Sequence, residues 1–102
     1  MEIAIHAPNM HAQEDALAKD VEHALAHYAE RLTRVEVFLK DENADKGGDD
    51  KHCVVEARPS GLDPVAGEHT AATLHEAVQG AARKVQRQLE TRLGKLGDKH
   101  AH

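Results

Sequence analysis

The sequence predicts an α+β domain of order β-α-β-β-β-α, a four-stranded sheet with two helices packed on one face. Three observations carry that reading. Short segments at 2–6, 35–40 and 52–58 alternate apolar and polar residues, the period of half-buried strands. Two longer segments, 14–33 and 73–96, repeat apolar residues every three or four positions, the period of amphipathic helices. Turn residues separate neighbouring strands, so hairpins form the sheet and the helices cover one side of it.

"EIAIH" places Ile3 and Ile5 on the inner face of the first strand, and "APN" ends it. The first helix turns Leu17, Val21, Ala24, Leu25, Tyr28 and Leu32 to one side. Glu14 and Asp15 open it and Arg31 and Arg34 lie near its end, the charge order that the helix dipole favours. "VEVFLK" directs Val35, Val37 and Leu39 inward, and "HCVVEAR" answers with Cys53, Val55 and Ala57. Gly47-Gly48 turns the chain between them, "PSGLDP" makes the next turn, and 65–70 supplies the fourth strand. The second helix buries Leu74, Val78, Ala81, Ala82, Val85, Leu89, Leu93 and Leu96. Gly94 and Gly97 weaken its end, so the reading is one domain over 1–97 and a loose tail over 98–102.

Composition narrows the function. The 102 residues contain one Tyr, one Phe and no Trp, which leaves a core of Val, Leu, Ile and Ala. It also argues against RNA-binding modules that stack bases on exposed rings. No run approaches the roughly 20 apolar residues of a membrane span, and the first ten residues lack the pattern of a secretory signal. The single cysteine excludes an intrachain disulfide framework and suits a reducing cytoplasm. Net charge is −5 with His neutral, but residues 1–50 carry 12 acids against 5 bases, while 51–102 carry 6 against 8. An acidic chain with a basic C-terminal helix points to one local anionic partner.

The acid-rich stretch 41–50 meets part of a calcium-loop pattern, with Asp41, Asn43 and Asp45 at the first three ligand positions. Lys46 then stands where glycine is required and His52 where the bidentate Glu belongs, so the stretch reads as a solvated hairpin tip. His23 and His27 are four apart but supply only two of the four ligands that a zinc site needs. Cys53, mid-strand and facing inward, reads as an inert buried thiol. No phosphate loop or nucleophilic triad is present; no enzyme, metal, cofactor or small-molecule substrate is expected. Protonating all nine histidines would carry the formal charge from −5 to +4, a route to acid-strengthened anion binding.

What stands out is the second helix, "TLHEAVQGAARKVQRQLETRLGK". On a helical wheel Arg83, Lys84 and Arg87 fall opposite the buried stripe, with Arg92 and Lys95 flanking it. A basic stripe on a rigid helix can follow phosphates; an ordinary solvated face is the alternative.

With "TLHEAVQGAARKVQRQL" the chain resembles the ribosome hibernation promoting factor and ribosome-associated inhibitor family, also called sigma-54 modulation or ribosomal subunit interface proteins. Leu74, Ala77 and Val78 match the family's "D-M-Y-x-A-I-D" run, and Lys84, Val85, Arg87, Gln88 and Leu89 match its "K-L-x-R-Q-L" run. Thr73 and His75 replace the acid and the aromatic of the first run, and the chain is acidic where ribosome-binding members are basic. The resemblance implies a fold similar to a double-stranded RNA-binding domain and a cytoplasmic, non-enzymatic role. It implies binding to rRNA of the small ribosomal subunit, blocking the mRNA/tRNA channel and inhibiting translation under stress or in stationary phase. The residues it implicates are Lys84 and Arg87. Arg83 joins them by position, and Arg31, Arg34, Arg92 and Lys95 extend the set. Long members dimerise ribosomes through an additional C-terminal domain; at this length, ribosome pairing would need another factor. The alternative is a protein-interaction or stress module of the same fold without rRNA binding; the oligomeric state is left open.

Overall fold

The computed structural model describes residues 1–7, 14–41 and 51–101, and the side chains of 41 and 94–101 lie outside that description. The elements are β1 (Glu2–His6), α1 (Glu14–Leu25), a 3-10 segment (Ala26–Arg31), β2 (Leu32–Asp41), β3 (Lys51–Pro59), β4 (Val65–Ala71) and α2 (Leu74–Ala101). The strands form one mixed sheet in the order β1-β2-β3-β4. β1 runs parallel to β2, which requires the α1 crossover, and β2-β3-β4 is an antiparallel meander. The expected β-α-β-β-β-α fold is present.

Both helices lie on the face lined by Val35, Val37, Leu39, Cys53, Val55, Ala57 and Val65, all buried. From α2, Leu74, Val78, Ala81, Val85, Leu89 and Leu93 pack onto them, with Leu17, Val21 and Leu25 from α1. The core is aliphatic, as composition requires; Tyr28 packs at its margin and Phe38 stands on the open face, 41% exposed. Burial pushes the Cys53 thiol up to about 12, the inert thiol that its strand position suggested.

Two departures from the sequence reading have clear causes. The first helix ends at Leu25, tightens into a 3-10 turn and gives way to β2 at Leu32, not after Thr33. Leu32 fits the helical spacing of Leu25 and Tyr28, but it is buried as a strand residue. A bulge between Leu32 and Arg34 makes this compatible with the strand, since Leu32 pairs with Pro59 and Arg34 with Arg58. The extra residue, Thr33, donates its hydroxyl to the Arg58 carbonyl at 3.0 Å. At the other end, α2 continues through Gly94 and Gly97 to Ala101, past the expected stop near Leu96. Glycine costs a helix only about 1 kcal/mol, and no proline stands between Gly94 and Ala101 to break it.

The turns follow local chemistry. Leu62 donates to the Pro59 carbonyl at 3.3 Å, and Gly61 between them takes φ 76°, the left-handed position of a tight turn. Thr73 caps α2: its hydroxyl accepts from the Glu76 amide at 3.1 Å and donates to the Glu76 carboxylate at 2.9 Å. The acid-rich stretch 42–50 lies outside the described residues.

Candidate nucleic-acid interface

The helices run side by side in the same direction. His75 Nδ1 lies 2.5 Å from Asp20 Oδ2 near the start of α2. Further along, burial raises the Tyr28 phenol above its ordinary value and the nearby Glu90 carboxylate adds to the rise. Between the helices runs a groove lined by Asp20, His23, Ala24, Gln79, Arg83 and Gln86. On the other flank of α2 a cleft opens toward β4, lined by His69, Glu76, Gln79, Gly80, Arg83, Lys84 and Arg87. Arg83 borders both, so it stands on the ridge of the exposed surface.

α2 presses unusually close to β4. A Cβ on Gly67 would fall 2.8 Å from the Ala81 carbonyl oxygen and 3.2 Å from the Val85 nitrogen. Ordinary side chains in both elements would hold them apart; Gly67 and Ala81 let the backbones meet. The result is a ladder of side chains from α2 onto β4. Lys84 Nζ donates to the Glu68 carbonyl at 2.7 Å and Gln88 Nε2 to the Ala66 carbonyl at 2.5 Å; beyond the strand's start, Arg92 Nη1 reaches the Asp63 carbonyl at 2.9 Å. Acceptors on the outermost strand are thereby closed to a further strand.

This arrangement sorts the basic residues. Arg83, Lys84 and Arg87 are brought together around one cleft, as expected. Lys84, however, does not lie opposite the buried stripe: its ammonium turns down the β4 flank to Glu68, four residues before Gln88 on the same side. Arg92 shares that flank. Arg31 closes the 3-10 segment, its side chain exposed and its carbonyl accepting from Ser60 at 2.9 Å. Arg34 is not at a helix end but in β2 on the open sheet face. There it pairs with Glu2 and Glu36, beside Arg58 and His6, which also reach Glu36. Lys95 lies outside the described side chains.

His69, Glu76, Gln79 and Gly80 line the same cleft and were not picked out by sequence reasoning. A Cβ on Gly80 would fall 2.1 Å from the His69 ring, so the imidazole occupies the space a side chain at 80 would need. A glycine amid good helix formers was the signal available. Among the described residues no group of three or more His, Cys, Asp or Glu is placed to hold a metal. His23 lines the interhelical groove, while His27 sits beyond α1 with its ring edge-on to Tyr28 at 5.1 Å.

The chain is thus a mixed four-stranded sheet with parallel helices on one face and a basic ridge on the second helix. The family profile described as "Sigma 54 modulation protein / S30EA ribosomal protein" matches residues 3–97. The chain belongs to this family. Its fold is that of the Thermus thermophilus Protein Y N-terminal domain (TM-score 0.65, 20% identity, covering 89% of this chain and 98% of that one). It is also that of a ribosomal subunit interface protein from Coxiella burnetii (TM-score 0.57, 16% identity, 96% and 99% covered). A direct sequence search of curated proteins finds no match. Within this S30EA-family chain, the "K-V-x-R-Q-L" run at 84–89 has three separate duties. Val85 and Leu89 are core, Lys84 and Gln88 bind β4, and Arg87 faces solvent at the cleft.

Proposed function

We propose that this protein is a non-enzymatic, cytoplasmic, ribosome-associated factor. It binds rRNA of the small ribosomal subunit through the α2 surface, occupies the channel used by mRNA and tRNA, and inhibits translation under stress or in stationary phase. The observation that carries the reading is the exposed Arg83–Arg87 ridge, braced against β4 in a chain of a ribosomal-protein family. Occlusion needs no chemistry, only a rigid body and cations matched to phosphates; the affinity of such contacts falls with salt as condensed counterions are released.

A second reading, a protein-interaction module of the same fold, draws on the open sheet face. There Phe38 stacks on His6 with ring centroids 4.7 Å apart and stays 41% exposed. The test is competition: a short mRNA and the purified protein are offered together to small subunits. The rRNA reading expects mutual displacement and reduced peptide synthesis in a reconstituted system. Binding that leaves mRNA loading and synthesis unchanged would favour the second reading.

A further inference from the structure

We propose that the cleft between α2 and β4 is a seat for a single phosphate group, with Arg83 and Arg87 as its ligands and His69 as a hydrogen-bond donor from its floor. This rests on the rRNA-binding reading and names which side chains meet the phosphate. His69 lies on the inner face of β4, the same alternation as buried Val65 and Ala71, yet it is only half buried because Gly80 leaves its ring open to the cleft. Neither of its ring nitrogens makes a hydrogen bond with another described residue. An imidazole held by packing, without a protein partner and beside cationic side chains, suits a ligand oxygen. The one carboxylate in the lining, Glu76, is engaged by the Thr73 hydroxyl at the helix cap.

Lys84 lines the cleft but serves differently. Its ammonium is committed to the Glu68 carbonyl, so it holds α2 over β4 and fixes the height of Arg83 and Arg87. It is a positioning residue.

Salt dependence separates these roles. Binding of the full chain to small subunits is measured over a salt series for wild type, Arg83→Gln, Arg87→Gln, Lys84→Gln, His69→Leu and His69→Gln. Losing a phosphate contact lowers the slope of log K against log salt by about 0.7–0.9. Arg83→Gln and Arg87→Gln should each lower the slope, by up to that amount because the two share one phosphate, whereas Lys84→Gln should weaken binding with the slope unchanged. His69→Leu should cost about tenfold, and His69→Gln, which keeps a donor, should recover most of it. In parallel, inorganic phosphate is titrated into the free protein and followed by NMR at the His69 ring and the arginine side chains. Saturable shifts at His69, Arg83 and Arg87, absent at Arg34, are expected.

Shifts that are linear and equal at every exposed arginine would overturn the seat. So would wild-type affinity in His69→Leu, or a Lys84→Gln slope matching the arginine variants. If subunits bind while the phosphate and His69 tests fail, the seat falls and the rRNA reading stands. If phosphate saturates the cleft but wild type ignores subunits, the reverse holds.

Discussion

Gly67 and Ala81 bring the backbones of β4 and α2 so close that a methyl group on Gly67 would lie 2.8 Å from the Ala81 carbonyl oxygen. That contact sets where the helix lies, and therefore where Arg83 and Arg87 stand relative to the outermost strand.

Gly67→Ala should therefore destabilise the protein by about 1–3 kcal/mol, because the obstructing atoms are mostly backbone and cannot swing aside. The comparison is Gly61→Ala, where nothing lies within 4 Å but φ is +76°. That change should cost roughly 1–2 kcal/mol from backbone strain alone. Urea denaturation distinguishes them when combined with subunit binding: Gly67→Ala also weakens binding by shifting α2, and Gly61→Ala leaves it unchanged.

The sequence showed the alternation of Val35, Val37, Leu39 and of Cys53, Val55, Ala57, because a strand half-buried on one face must repeat every second residue. The α2 stripe was equally plain. Leu32 misled because its spacing from Tyr28 suits a helix, and only the bulge at Thr33 reconciles its burial with a strand. That one boundary moved Arg34 from a helix end to the open sheet face. Arg83 and Arg87 could be picked from the wheel. The turn of Lys84 toward Glu68 and the fit of His69 under Gly80 could not, since both depend on the register of α2 along β4, which no local pattern encodes.

Glu36 should prove a modest stabiliser that is irrelevant to ribosome binding. It is 19% exposed and sits within 3.3–3.8 Å of His6, Arg34 and Arg58. Glu36→Gln should cost about 0.2–1 kcal/mol, less at high salt, as for other partly solvated ion-pair networks. Subunit affinity should not fall, because this face lies across the sheet from α2. A clear loss of affinity would place the interface on the wrong side here.

Cys53 predicts an alkaline weakness. Burial holds its thiol at about 12, whereas an unfolded thiol ionises near its ordinary value of about 8.5. Between those values the unfolded chain gives up a proton that the folded chain retains. The stability linked to the neutral thiol is complete below this window and is lost as pH rises through it. The raised Tyr28 phenol acts in the same direction at higher pH. Urea midpoints should fall from pH 8 to pH 10, and less steeply in Cys53→Ala. Iodoacetamide should label the thiol only as fast as the protein unfolds; rapid labelling of native protein at pH 8 would contradict this burial.

The His75–Asp20 contact should act as a light clasp between the helices. Both groups are partly exposed, so a double-mutant cycle with His75→Ala and Asp20→Ala should give a coupling of about 0.2–1 kcal/mol, reduced by salt. No coupling at low salt would show that packing alone sets the helix pair.

The most direct measurement is co-sedimentation of the protein with small ribosomal subunits across a salt series, beside an Arg83→Gln/Arg87→Gln double variant and an Arg34→Gln control. Binding should fall steeply with salt, be lost or shallow in slope for the double variant, and remain at wild-type strength for the control. Absence of wild-type binding even at low salt, or equal binding by wild type and the double variant, would contradict a ribosome-docking role for α2.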